Sequence, residues 1–281
     1  MFSSEYYYLV AGLREWTLDS DTKGFDVREI VDEILDGVSK SDRDAVRLLY
    51  GYYDCENIIS LREQRDRFNP LGNLSREQVD NVLHDGDYSL LSKRVAKVVE
   101  QYTRVDDDEE RDGEVALDDR FERALFEAYY ADLAESGCKF LRAWGEFDRN
   151  LRNIAAAVAA RESGRQVADV TVGGGEIVEQ LKRSSAADFG LRGELLYVDA
   201  VITAVSDEKN IVEKERKIDA IRWSEAEQIV VFDFFNIDYI LSYLVKVNIV
   251  ARWSLLSPAL GREMLNRLMR ELDAKELVNK Q

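Results

Sequence analysis

Proline occurs only twice in the 281 residues, at Pro70 and Pro258, and glycine sixteen times. Both residue types interrupt helices, so their scarcity predicts long unbroken helical segments. Histidine is scarcer still. A single copy, His84, excludes histidine-rich metal sites and the paired Glu-x-x-His of di-iron bundles, which needs two. Its followers Asp85-Gly86-Asp87 place it on a surface loop. The two cysteines, Cys55 and Cys138, lack metal-ligand spacing and are expected to pack as small apolar groups in a reducing compartment. No stretch reaches the roughly eighteen apolar residues that a membrane span needs. The greasiest region, 229–256, is interrupted by Asp233, Asp238, Lys246 and Arg252. The first residues are acidic and aromatic, unlike the basic-then-apolar layout of a signal peptide. These absences predict a soluble protein of the cytoplasm that does not insert directly into a membrane.

Catalytic signatures are missing too. There is no Gly-x-Ser-x-Gly, no Cys-His pair and no dinucleotide-binding fingerprint. Gly173-Gly174-Gly175 is the only glycine cluster, and no Gly-Lys-Ser/Thr follows it, so it reads as a turn between helices. A carboxylate-only magnesium site has one candidate, Asp106-Asp107-Asp108, in a run of six acids over 106–112. A charge run of that kind is usually a solvated linker and a poor place for a preorganised site. The residues therefore predict no enzyme, no metal and no cofactor.

What is present is acid. Fifty-five Asp and Glu against 38 Lys and Arg give a net charge of −17, which disfavours nucleic acid and anionic lipid and suits solubility or a basic protein partner. The 46% hydrophobic and 33% charged residues are those of a globular chain, long enough for one large domain or a few small ones.

Along the chain, Tyr6 to Leu13 is a short aromatic and apolar run expected to be extended, with the three tyrosines as a lid over a helical core. Val27, Ile30, Val31, Ile34, Leu35 and Val38 have helical spacing, and Ser41 reads as the cap of the next helix, which carries Ala45, Leu48, Leu49, Tyr52 and Ile59. Residues 68–73, Phe-Asn-Pro-Leu-Gly-Asn, form a turn, and Ser75-x-x-Gln78 is a capping box. Another helical stretch is expected to end near Tyr102. Residues 117–161 read as one long, mostly helical stretch that Gly137 and Gly145 could kink, with Phe121, Leu125, Tyr129, Leu133, Phe140, Leu141 and Trp144 facing inward. Helices are then expected from Glu176, Leu191 and Asp207, from near Ile237, and from Pro258 through Leu265, Leu268 and Leu272.

Asn-Ile pairs recur at Asn57, Asn153 and Asn248, at intervals of 96 and 95 residues, each within a helical segment that leads through a Gly or Pro break to a second amphipathic one. Near-equal spacing predicts three similar lobes, divided as 1–105, 106–200 and 201–281. The three amides are expected to bridge helices within their own lobes, because a buried amide without a partner costs about 1–3 kcal/mol.

The segment Phe147-Asp148 through Asn153-Ile154 to Arg161, and Leu241-Ser242-Tyr243-Leu244 before Asn248-Ile249, resemble the family of central-stalk caps of V-type ATPases, the C-type component of the archaeal and bacterial enzymes and its d-type counterpart in eukaryotes. The opening residues 6–13 and Asn69-Pro70-Leu71-Gly72-Asn73 look closer still to a small bacterial family, formerly of unknown function, encoded among V-type ATPase components. The resemblance spans the chain, with departures at Ala159-Ala160-Arg161 and Val247-Asn248-Ile249. It implies an all-α funnel of three lobes. It also implies a non-catalytic rotor part that couples the central shaft to the membrane proteolipid ring, peripheral to the inner face of the cell membrane. Asn57, Asp148, Asn153, Tyr243 and Asn248 would be its structural repeat positions. The alternative reading is a generic helical-repeat scaffold that binds soluble proteins.

Overall fold

A computed structural model describes residues 5–18, 24–108, 114–206 and 210–255. The described residues are mainly helical and contain no strand. In chain order the elements are α1 (Tyr7–Gly12), α2 (Val27–Gly37), α3 (Lys40–Arg62), α4 (Arg76–His84), α5 (Lys93–Asp108) and α6 (Glu114–Ala134). Then come α7 (Lys139–Glu162), α8 (Val167–Val170), α9 (Glu176–Arg183), α10 (Val198–Val205), α11 (Ile211–Ile229) and α12 (Ile237–Leu255). None of them is long and apolar enough to cross a membrane.

Helix α7 is the hub. It packs against α6, α8, α9, α10, α11 and α12, while α3 packs against α4, α6 and α12. The inward stripe expected from the sequence is buried in full: Phe121, Leu125, Tyr129, Leu133, Phe140, Leu141 and Trp144 all lie in the core. The alanine-rich end of α7 buries Ala157 and Ala160. Gly145 marks a close approach to α6, since a Cβ there would lie 2.8 Å from the Leu133 Cβ.

Several boundaries differ from the expectation, each for a local reason. The opening segment is helical, not extended. With no strand beside it among the described residues, its backbone closes on itself, Val10 N–H donating to Tyr6 O at 2.9 Å. The cap of α3 is Ser39, whose hydroxyl accepts from Asp42 N–H at 3.3 Å; Ser41 already lies inside the first turn. The stretch 117–161 is two helices, broken at 135–138 around Gly137. Residues 191–197 are turns, and the next helix begins only at Val198. Residues 207–209 lie outside the described ones, and α11 is capped by Asn210, whose side chain accepts from Val212 and Glu213 N–H. His84 ends α4 on an exposed face instead of sitting in a loop. Helix α5 runs beyond Tyr102 and takes in Asp106, Asp107 and Asp108, so these belong to a helix end and not to a linker. The side chains of those aspartates, residues 109–113 and the helix expected from Pro258 lie outside what is described. The capping box of Ser75 and Gln78 forms as expected, with both reciprocal bonds present.

Helices α3 and α7 stop in the same way. In α3, Gln64 N–H donates to Leu61 O and Arg65 N–H to Ser60 O; in α7, Gly164 N–H donates to Arg161 O and Arg165 N–H to Ala160 O. This is the Schellman pattern, which puts one residue in the left-handed region. Gly164 takes it freely at φ +69°, whereas Gln64 is held there at φ +56°. Gln64→Gly is therefore expected to stabilise the protein by roughly 1 kcal/mol, as a rise in the denaturation midpoint at unchanged slope.

Candidate protein-interaction surface

Asn57 and Asn153 hold matching positions. Each faces the loop that follows its own helix and exchanges two hydrogen bonds with one backbone residue there. Asn57 Nδ2 donates to Asn69 O at 2.9 Å, and Asn69 N–H returns to Asn57 Oδ1 at 2.6 Å. Asn153 Nδ2 donates to Val172 O at 2.9 Å, and Val172 N–H returns to Asn153 Oδ1 at 2.8 Å. An amide side chain presents a donor and an acceptor side by side, so it can mimic a strand partner for one residue. One turn before Asn57, Asp54 Oδ1 accepts from Leu74 N–H at 2.9 Å and its Oδ2 from Asn73 Nδ2 at 2.6 Å. Burial raises the Asp54 carboxyl above its ordinary range, and the bonds from Leu74 and Asn73 offset part of that. Gly72 closes the turn onto this pair, because a Cβ there would fall 2.8 Å from both Asn57 Nδ2 and Asp54 Oδ1.

Asn248 does not follow that pattern. Its Oδ1 accepts from Tyr50 OH at 2.9 Å, across 198 residues, so it joins α12 to α3 instead of bridging within its own third of the chain. Tyr243 likewise reaches far: its hydroxyl donates to Arg14 O at 3.0 Å and holds the segment after α1 against α12.

Asp148 is the centre of a buried ionic frame. Its Oδ2 accepts from Tyr130 OH at 2.7 Å and Arg152 Nε at 2.8 Å, and its Oδ1 from Arg222 Nε at 3.4 Å. Arg222 continues to Asp219 Oδ1 at 3.1 Å, which Arg252 also approaches at 3.3 Å; Trp253 Nε1 donates to Asp219 Oδ2 at 2.9 Å, and Arg252 pairs with Glu215. Three carboxylates and three guanidiniums thus tie α7, α11 and α12 together with no net charge, and the Tyr130 hydroxyl joins α6 to them. Burial would push the Asp148 carboxyl up, but the charges of Arg152 and Arg222 and the bonds from Arg152 and Tyr130 hold it below its ordinary range. The network is directional, so it fixes how the four helices sit against one another.

At the other end of α12 from Arg252 lies an exposed apolar patch. The loop between α11 and α12 reads Val231-Phe232-Asp233-Phe234-Phe235, and its apolar side chains face solvent, with Phe232 86% exposed. Tyr7 of α1 packs on Phe235 with ring centroids 4.6 Å apart, Tyr6 N–H donates to Phe235 O at 2.6 Å, and the neighbouring Tyr8 is 97% exposed. The expected lid is thus half a tether and half a protrusion. Tyr6 is anchored through Asp42 and the Ser39 amide, and Tyr8 points away.

Loop looseness does not explain the exposure, because the polar residues hold the loop from beneath. Asp233 accepts from Lys139 Nζ at 3.0 Å and Asn236 Nδ2 at 2.8 Å. Burial would raise the Asp233 carboxyl, and these two partners bring it below its ordinary range. Asp238, in the first turn of α12, accepts from Phe140 N–H at 2.8 Å and so caps α7 from across the interface. The half-buried Cys138 thiol donates to the same Asp238 oxygen at 3.0 Å, and burial pushes it up to about 12. The outward aromatic cluster thus rests on a base held by polar contacts, the kind of exposed apolar patch that commonly marks an interaction site.

This patch is not legible in the sequence. There, 229–256 is one greasy region, and only Asp233 and Asn236 between the apolar residues hint at a loop. Among the described residues no cluster of three or more His, Cys, Asp or Glu is placed to hold a metal ion. A family model described as a protein of unknown function (DUF2764) matches residues 3–275. No curated protein matches the chain at a significant level.

Proposed function

The chain belongs to the DUF2764 family, and we propose that it is a non-catalytic rotor component of a V-type ATPase, linking the central shaft to the proteolipid ring. The observation that carries this reading is the outward aromatic patch of Tyr7, Tyr8, Phe232, Phe234 and Phe235, mounted on a helical body that a buried ionic frame cross-ties. A torque-bearing part needs a body that does not shear and a face that grips. Directional buried ion pairs serve the first requirement, and exposed aromatic anchors the second. The surplus of acid favours a basic partner surface and makes the seat sensitive to salt. Three lobes arranged as a funnel belong to the same reading; the matched clamps of Asn57 and Asn153 support two of them.

The test is a tagged pull-down from mild-detergent extracts of native membranes, read by mass spectrometry. Recovery of the proteolipid, shaft and catalytic components of a V-type ATPase together, lost at high salt, is the expected result. A Phe232→Ser/Phe234→Ser variant is expected to melt with the wild type and to recover at least about tenfold less of them, as loss of anchor residues typically weakens an interface. Recovery of soluble proteins alone overturns the rotor reading and leaves a scaffold for soluble partners.

A further inference from the structure

A second site lies away from the aromatic patch, in a cleft of about 290 Å³ between α5, α6, the loop after α8, and α9. Its walls include Tyr102, Arg120, Arg123, Thr171, Gly173 and Lys182. We propose that this cleft binds the phosphoryl group of a small phosphate monoester.

Charge is the first reason. In a chain of net charge −17, cations from two helices meet on one cleft: Arg120 and Arg123 from α6 and Lys182 from α9. Among the described side chains, the acids at the cleft are fewer. Glu127 lines the cleft, and Glu179 is paired with Lys182 at 3.1 Å. Arg123 is positioned by its bond from Nη1 to Ala168 O at 3.1 Å, which leaves the rest of its fork for a ligand.

The second reason is independent of charge. Thr171 is 5% exposed, and its Oγ1 has no hydrogen-bond partner. A buried hydroxyl without a partner is costly, and most such groups in folded proteins are satisfied. Here Thr171 lines a cationic cleft, and a turn of its side chain would offer the hydroxyl to a bound oxyanion. Just behind that wall, Gly173 sits at φ +76°, and a Cβ there would lie 3.5 Å from Arg149 Nη1. Arg149 Nε is also buried without a partner, so a further guanidinium with one unused donor backs the same turn.

These donors select the ligand. Forked guanidiniums, an ammonium and a hydroxyl together outnumber what the two oxygens of a carboxylate accept, whereas a phosphoryl group offers three oxygens. The cleft far exceeds the ~10–15 Å³ that one water needs, so it has room for the rest of an ester beside the ring of Tyr102.

The full chain is titrated with inorganic phosphate and with phenyl phosphate, followed by calorimetry and by melting temperature, against sodium chloride at matched ionic strength. Both phosphates are expected to bind and to raise the melting temperature beyond chloride. Phenyl phosphate is expected to bind more tightly; equal affinity assigns the site to the free ion and overturns the ester. In Arg120→Gln/Lys182→Gln, which leaves the Arg123 tie intact, affinity is expected to fall roughly tenfold or more at unchanged stability in chloride. Thr171→Val is expected to weaken binding while leaving stability in chloride unchanged or higher, because it removes a hydroxyl that has no partner. No shift beyond chloride, or the same shift in every variant, overturns the site.

Discussion

Asp148→Asn is expected to destabilise the protein by about 3 kcal/mol at neutral pH, near the lower end of the ~3–5 kcal/mol lost when one partner of a buried ion pair is removed. The lower end applies because the two arginines left behind differ. The Arg222 side chain is 13% exposed but keeps Asp219, while Arg152 is 39% exposed and can turn toward water. Tyr130 also loses the carboxylate that its hydroxyl donates to. The effect carries a pH signature. The Asp148 carboxyl is held below its ordinary range, so the ionised form stabilises the folded state at every pH above the unfolded value, near ~3.9. That contribution is lost as pH falls through the lower folded value. Urea unfolding at pH 7 and at pH 3 should therefore show the gap between wild type and variant narrowing in acid. A gap that is equal at both pH values would mean that shape, and not charge, makes Asp148 matter.

Asn153→Leu is expected to cost about 2–4 kcal/mol, since it strips partners from both the amide and the carbonyl of Val172. Asn57→Leu should cost a similar amount through Asn69. Asn248→Leu breaks one bond, from Tyr50, and is expected to cost less, about 1–2 kcal/mol. Native-state hydrogen exchange separates local from global effects. In Asn153→Leu the Val172 amide should exchange much faster than the rest of the chain, and in Asn248→Leu it should not. The order of the three variants tests the matched clamps directly. Equal losses at all three positions would contradict the geometry.

Much of the helical layout is legible in the chain because it depends on local physics. Two prolines and one glycine cluster leave long stretches uninterrupted, and the stripe from Phe121 to Trp144 has the period of a buried helical face. The Ser75 and Gln78 capping box, the 68–73 turn and the left-handed stop at Gly164 need only neighbours a few residues away. Asn57 and Asn153 can be marked as paired because a buried amide must find partners; which backbone residue it finds, 12 or 19 positions on, depends on how the following loop folds back.

Other features exist only through contacts distant in sequence. The opening tyrosines have the composition of a strand, yet Tyr7 and Tyr8 begin a helix whose cap residue, Tyr6, donates its N–H to Phe235 O. Asp148 carries no sign in the chain of Arg222, 74 residues away, or of Asp219 and Arg252 beyond it. Asp238 looks in sequence like a charge interrupting a greasy run, and it caps a helix that begins 99 residues earlier. Within 229–256, hydrophobicity is similar on both sides of Asn236, yet α12 buries its apolar side chains and the preceding loop exposes them. Sequence determined that this chain would be helical and placed some of its local caps and stops, such as the Ser75 box and the glycine stop of α7, because those are short-range backbone demands. Only the tertiary structure decided which charges meet and which phenylalanines remain outside, because both depend on surfaces that exist once the helices have packed.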